Sequence, residues 1–116
     1  ICMPQLQVTL CETAQKRCAF LHQVVRTLAL SAEVLEQDAH LVADESPGFH
    51  HAVARAVFEP GTWQSLGARL VAPQGWIWSM VTDRQAATLH QPDLASYALK
   101  DGRTRGIVRQ QRSTVP

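Results

Sequence analysis

The chain has 116 residues, 46% of them hydrophobic and 18% charged, a balance that fits one globular domain with a single core and excludes disorder. Its formal net charge of +1 excludes a nucleic-acid binder working by bulk charge alone, and its longest apolar runs are too short to span a bilayer. The cations are unevenly spread: Lys100, Arg103, Arg105, Arg109 and Arg112 crowd the last part of the chain, either as a phosphate-facing cluster or as the charged edge of a sheet. The three cysteines, Cys2, Cys11 and Cys18, cannot all pair within one chain, and with no secretory signal this favours a reducing, cytoplasmic setting.

In chain order, Leu6–Cys11 alternates as a strand, with Leu6, Val8 and Leu10 on one face. Glu12 stands at its C-terminal tip. Thr13 is the expected N-cap of a helix to about Leu28, with Ala14, Cys18, Leu21, Val25 and Leu28 as its apolar stripe. A short strand is expected over Ala32–Glu36, followed by a strand-exit loop, Gln37–His40, and a polar turn, Asp44–Gly48. Ala52–Val57 reads as a buried strand. Pro60-Gly61 is expected to break the chain, and Thr62 to cap a helix to about Leu70. Pro73-Gln74-Gly75 reads as a turn before a strand, Trp76–Val81. A short helix over Arg84–Leu89 and two strands, Leu94–Leu99 and Thr104–Gln111, complete the pattern, with Asp101-Gly102 as the hairpin signal between the last two. Alternating strands and helices closed by an antiparallel hairpin imply an α/β fold with a mostly parallel sheet.

A carboxylate at the tip of a strand that feeds a helix is where α/β proteins hold a ribose. Cys18 and His22 lie one helical turn apart, but nothing completes a tetrahedral ligand set and no metal site is expected. His50-His51 reads as a solvent-facing pair. Trp76 and Trp78 suit either base stacking or packing, with packing favoured by the apolar company of Met80. Arg55, ending an apolar strand, suits either a ligand contact or an ion pair with Asp38 or Glu59.

The stretch from Thr9 to Leu21 resembles the second strand and following helix of the small-subunit rRNA guanine-N7 methyltransferases, the RsmG or glucose-inhibited division protein B family. Glu36-Gln37-Asp38-Ala39-His40 resembles that family's Gly-Arg-Ala-Glu strand exit, and Val53–Val57 its Ser-Arg-Ala strand. Leu70–Trp76 resembles its Leu-x-x-Pro-Gly-Gly turn, and Asp101–Val108 its last hairpin. The resemblance implies a class I S-adenosylmethionine-dependent methyltransferase (Rossmann-like) fold of sheet order 3-2-1-4-5-7-6, here truncated, lacking the first central strand and Gly-rich loop and keeping the C-terminal hairpin. It covers residues 1–116 as one partial domain.

The resemblance also implies S-adenosylmethionine as cofactor, 16S rRNA or the small ribosomal subunit as partner, and a monomeric full-length form. Glu12 would accept hydrogen bonds from the cofactor ribose, as an acceptor-only carboxylate can. Ala39 and His40 would lie against adenine, and Arg55 would face the pocket. Lys16, Arg17, Arg103 and Arg105 would meet rRNA phosphate. No catalytic side chain is expected, because guanine N7 already carries a lone pair and the task is alignment. The sequence departs from the family at Glu12, where Asp is commoner, at His40, where Glu is usual, and at Thr82-Asp83, where Lys-Gly is frequent.

Ile1 opens into sequence that reads as internal, so the expectation is a fragment of a longer reading frame, inactive by itself. The alternatives are a non-enzymatic remnant or RNA-binding module, or a class I methyltransferase with another substrate. The sheet of such a chain is expected either to close, joining the strands near Val8 and Val53, or to keep a slot between them.

Overall fold

The computed structural model describes residues 3, 5–45, 48–55, 60–82 and 94–112. The elements are β1 (Val8–Cys11), α1 (Gln15–Thr27), β2 (Ala32–Leu35), α2 (Ala39–Glu45), β3 (Phe49–Arg55), α3 (Pro60–Leu70), β4 (Val71–Thr82), β5 (Leu94–Ala98) and β6 (Thr104–Gln111). They fall into two compact units, Ile1–Val42 and Ala43–Pro116.

In the first unit β1 and β2 run parallel, in register from Val8 opposite Ala32 to Cys11 opposite Leu35, joined by α1. The strand is shorter than its alternation suggests, because the Leu6 amide turns back to the Met3 carbonyl at 3.0 Å. Helix α1 buries Cys18. It ends in a Schellman arrangement, with the Leu30 amide on the Val25 carbonyl at 3.0 Å and the Ala29 amide on the Arg26 carbonyl at 3.2 Å. This requires a left-handed residue, and Ala29 supplies it at φ 52°.

Helix α2 lies where the sequence reading had a loop and a polar turn. Asp38 starts it: its carbonyl accepts the Leu41 and Val42 amides, at 3.0 and 3.2 Å. The helix has only 7 residues, too few for helical periodicity to show against a polar background.

The second unit carries a four-stranded sheet in the order β3-β4-β6-β5. β3 and β4 are parallel, while β4, β6 and β5 pair antiparallel. The closing hairpin forms as expected around Gly102 at φ 87°, with the Leu99 amide on the Arg103 carbonyl at 2.7 Å. Pro60 begins α3 rather than breaking the chain, since its missing amide and fixed φ suit a first helical position. Trp63, Leu66 and Leu70 form the buried stripe of α3. The helix lies on the sheet face that carries Ile77, and Gly67 permits the approach: a Cβ there would stand 2.6 Å from Ile77 Cγ2. Trp63 Nε1 donates to the Trp78 carbonyl at 2.9 Å.

Pro73-Gln74-Gly75 does not precede the strand but interrupts it. Phe49 pairs with Val71 and His51 with Trp76, so Ala72–Gly75 bulges from β4. The end of β6 stitches the bulge in place: the Gln74 amide donates to the Arg112 carbonyl at 3.1 Å, the Arg112 amide to the Gly75 carbonyl at 2.8 Å, and the Arg112 guanidinium to the Val71 carbonyl. Gln74 takes a left-handed φ of 68°.

Among the described residues, the strands near Val8 and Val53 belong to separate sheets. The Arg84–Leu89 helix and residues 56–57 of the expected third strand lie outside the described residues.

Two left-handed non-glycine positions yield a paired prediction. A left-handed L-residue is disfavoured by about 1–2 kcal/mol, part of which glycine's greater unfolded-chain entropy offsets. Ala29→Gly and Gln74→Gly should each stabilise their unit by up to about 1 kcal/mol. Gly75→Ala, whose Cβ would stand 2.8 Å from the Ala72 carbonyl oxygen, should destabilise by about 1–3 kcal/mol. Urea unfolding of the three variants followed by circular dichroism checks all three signs.

Candidate functional site

The parallel ladder of β1 and β2 brings two strand exits together at one end of the small sheet. Glu12 follows β1, and Gln37-Asp38 follows β2. The carboxyl ends of parallel strands are where open α/β sheets bind ligands.

Every polar group of Glu12 is engaged. Its amide donates to the Leu35 carbonyl at 3.0 Å, and its carbonyl accepts the Cys18 thiol at 3.2 Å. Carboxylate Oε2 accepts the amides of Thr13 at 2.6 Å and Ala14 at 3.3 Å, while Oε1 faces Arg17 Nε at 2.5 Å. The sequence placed the cap of α1 at Thr13. In the structure Ala14 occupies the cap position and makes no side-chain cap bond, so the Glu12 carboxylate serves the amides ahead of the helix. The Ala14 amide above all, then the Thr13 amide and the Arg17 guanidinium, hold Glu12 below its ordinary pKa.

Across the sheet end, Asp38 Oδ1 accepts both the His40 amide and His40 Nδ1, each at 2.8 Å. These bonds, the amide first, hold the Asp38 pKa low. The Cys11 thiol donates to the Gln37 carbonyl at 3.0 Å. Burial first, then nearby carboxylates, push both Cys11 and Cys18 upward, so both stay protonated and serve as donors. The two thiols thereby tie the β1 exit to α1 and to the β2 exit.

The structure brings together Glu12 and Arg17, and it sets Ala39 and His40 in the first turn of α2, beside Asp38. Lys16 is exposed on α1. Arg55, Arg103 and Arg105 belong to the second unit. Arg55 closes β3 opposite Met80. Arg103 is folded onto Asp101, through its amide at 3.0 Å and its Nε at 2.6 Å. Arg105 stands opposite Thr82 on β4 and Tyr97 on β5. Sequence reasoning missed Asp38 as a site group and the two thiols as braces. The signal for Asp38 was available, since an Asp before Ala-His-Leu-Val is a helix start. Among the described residues no group of three or more His, Cys, Asp or Glu side chains could hold a metal ion.

The second unit holds one further cluster, on the sheet face away from α3. Arg109 lies 4.4 Å over the Trp76 ring and 5.8 Å from that of Trp78. Trp78 Nε1 donates to His51 Nδ1 at 3.0 Å. Val53, Met80 and Tyr97 are exposed on the same face.

The family model of rRNA small subunit methyltransferase G, GidB, matches residues 1–113. The chain belongs to this family. It is 38% identical over 81 residues to the ribosomal RNA small subunit methyltransferase G of Xanthomonas campestris pv. campestris strain B100, a match covering 69% of this chain and 38% of that protein. The enzyme of the same name from Anaeromyxobacter sp. strain Fw109-5 is 31% identical over 80 residues, covering 67% and 37%. The chain thus spans less than two fifths of the curated relatives it matches. Among solved structures it is similar to an rRNA methylase from Streptococcus thermophilus, with TM-score 0.61, 11% identity and coverage of 90% of this chain and 73% of that one. It is likewise similar to the C-terminal domain of precorrin-6Y C5,15-methyltransferase from Rhodobacter capsulatus, with TM-score 0.63, 13% identity and coverage of 90% and 67%. These likenesses show the fold, which is the Rossmann-like fold of class I methyltransferases. Against the order 3-2-1-4-5-7-6, β2-β1 supplies 3-2 and β3-β4-β6-β5 supplies 4-5-7-6; strand 1 has no counterpart among the described residues.

The lowered pKa of Glu12 has a definite sign in stability. A group whose folded-state pKa is depressed stabilises the fold above its unfolded value, and that contribution is lost as pH falls toward the folded value. The first unit should therefore hold its stability down to about pH 4.5, the ordinary value for Glu12, and lose it below. Glu12→Gln should flatten this acid limb, as read by circular dichroism melts between pH 7 and pH 2.5.

Proposed function

We propose that this chain carries the ribose- and adenine-binding side of an S-adenosylmethionine-dependent methyltransferase acting on guanine N7 of 16S rRNA. The observation that carries the reading is Glu12: an ordered carboxylate at the tip of a parallel strand, next to a second strand exit, in a chain of the methyltransferase G family. The donor set fits the cofactor's nucleoside end. A carboxylate accepts about four hydrogen bonds, so Glu12 retains capacity for a ribose hydroxyl. Ala39, half-buried, offers a small surface to the adenine plane, and exposed His40 is held beside it by Asp38.

When bound, the cofactor supplies an electrophilic methyl group. The protein's task is to hold the nucleoside and align the target base, since N7 needs no general base. Glu12 fixes the ribose and Ala39 and His40 the adenine edge, while Arg55 is assigned to the cofactor by the family resemblance alone. Lys16, Arg103 and Arg105 are assigned to rRNA phosphate, as is Arg17 through the guanidinium nitrogens not used on Glu12. Such contacts make RNA binding salt-dependent. No helix among the described residues is long and apolar enough to cross a membrane. A cytoplasmic, monomeric full-length enzyme working on the small ribosomal subunit follows from the same reading.

The test is a chimera. The part of the Xanthomonas campestris relative that matches this chain is replaced by this chain's residues, and methyl transfer to 16S rRNA is measured. Transfer should be retained, and Glu12→Ala should reduce it at least tenfold, mainly through the KM for the cofactor. A chimera that folds but is indifferent to Glu12→Ala defeats the ribose assignment. Residues 1–116 alone should bind S-adenosylmethionine weakly or not at all by calorimetry.

A further inference from the structure

Glu12 is a longer side chain than an aspartate would be, with one more rotatable bond to immobilise before it can meet a ligand. The structure shows what immobilises it. One carboxylate oxygen is fixed from the backbone side by the Thr13 and Ala14 amides, and the other is fixed from the first turns of α1 by Arg17 Nε at 2.5 Å. The Arg17 side chain is 71% exposed, against 23% for Glu12, so the pair sits at the rim of the site and not within it. An exposed pair of this kind adds little to stability. Its consequence is orientational.

We propose that Arg17 is a positioning residue for the ribose carboxylate: it holds Glu12 Oε1 toward the strand tip and so offsets the extra freedom of the longer acid. The proposal rests on the reading of Glu12 as a ribose ligand. Three donors leave the carboxylate about one of its four acceptor positions, the second lone pair of Oε1. The closed pair therefore accepts one ribose hydroxyl directly. A second hydroxyl is accommodated when the longest of the three bonds, from Ala14 at 3.3 Å, gives way. Arg17 thus sets both the direction and the remaining valence of the group it holds. It also links the α1 surface assigned to RNA with the carboxylate assigned to cofactor, through one contact between two side chains.

The test uses the Xanthomonas campestris chimera, with the carboxyl carbons of Glu labelled for NMR and adenosine as the probe. Adenosine is titrated to millimolar concentration while the Glu12 signal is followed, and the pH titration of Glu12 is recorded. Arg17→Met keeps much of the aliphatic stem and removes the guanidinium. It should weaken adenosine binding about three- to tenfold, the scale of freeing one ordered side chain, and move the Glu12 titration part of the way back toward 4.5, with the melting temperature unchanged. Arg17→Lys should recover part of the titration shift. In a Glu12→Asp background, Arg17→Met should change adenosine affinity less than twofold, because the shorter acid does not need to be held. If Glu12 responds to adenosine but is indifferent to Arg17→Met, or if Arg17→Met acts equally strongly on Glu12→Asp, the positioning role is wrong and the ribose reading stands. If the wild-type Glu12 signal ignores adenosine, the ribose reading and this proposal both fall.

Discussion

The last rung of the β1–β2 ladder, from the Glu12 amide to the Leu35 carbonyl, is the contact on which the candidate site depends. Parallel pairing puts the ends of both strands at the same height. The β1 exit with its carboxylate and the β2 exit with its helix start therefore face the same way. A slip of one residue in this register would turn Leu10 and Val34 to the wrong faces and carry Glu12 out of line with Asp38. The thiol contacts of Cys11 and Cys18 reinforce the rung from either side, each protonated sulfur closing on a backbone carbonyl. The chemistry of the site thus begins in backbone geometry, and the side chains refine it.

In the second unit the corresponding constraint is the long strand β4. It pairs with β3 on one side and β6 on the other, takes α3 on one face through the Gly67–Ile77 approach, and carries Trp76 and Trp78 on the other. Its bulge is tolerated because Arg112 and Gln111 replace the ladder bonds that Ala72–Gly75 gives up. A turn signal and a strand signal coexist in the same twelve residues, and tertiary hydrogen bonding decides that the strand continues.

Much of this was legible in the sequence. The alternation of Val8 and Leu10, the stripe through Cys18, Leu21 and Val25, and the Asp101-Gly102 hairpin each follow from a period or a turn preference that needs no partner. The methyltransferase resemblance rested on five sequence blocks in order, from Thr9–Leu21 to Asp101–Val108, and the family match and the fold likeness agree with it. What was not legible depended on distant residues. Pro73-Gln74-Gly75 reads locally as a terminator, and only the end of β6 makes it a bulge. Thr13 reads locally as a cap, yet the Glu12 carboxylate beside it takes the amides first. Helix α2 was too short for its period to register, although Asp38 announced its start. The place of Glu12 after a strand was legible in the alternation before it, whereas its bond to Arg17 required the first turns of α1 to be seen in space.

The placement of the indoles has a practical side. The chain has three tryptophans, Trp63, Trp76 and Trp78, and all of them lie in the unit Ala43–Pro116. Trp63 is buried against the sheet, while Trp78 shares its N–H with a histidine and Trp76 lies under a guanidinium. Intrinsic emission at tryptophan wavelengths therefore originates in the second unit alone, from α3 and β4. The unit that bears Glu12 contains no indole, and a spectroscopist watching this chain would see one half of it and be blind to the half that holds the carboxylate.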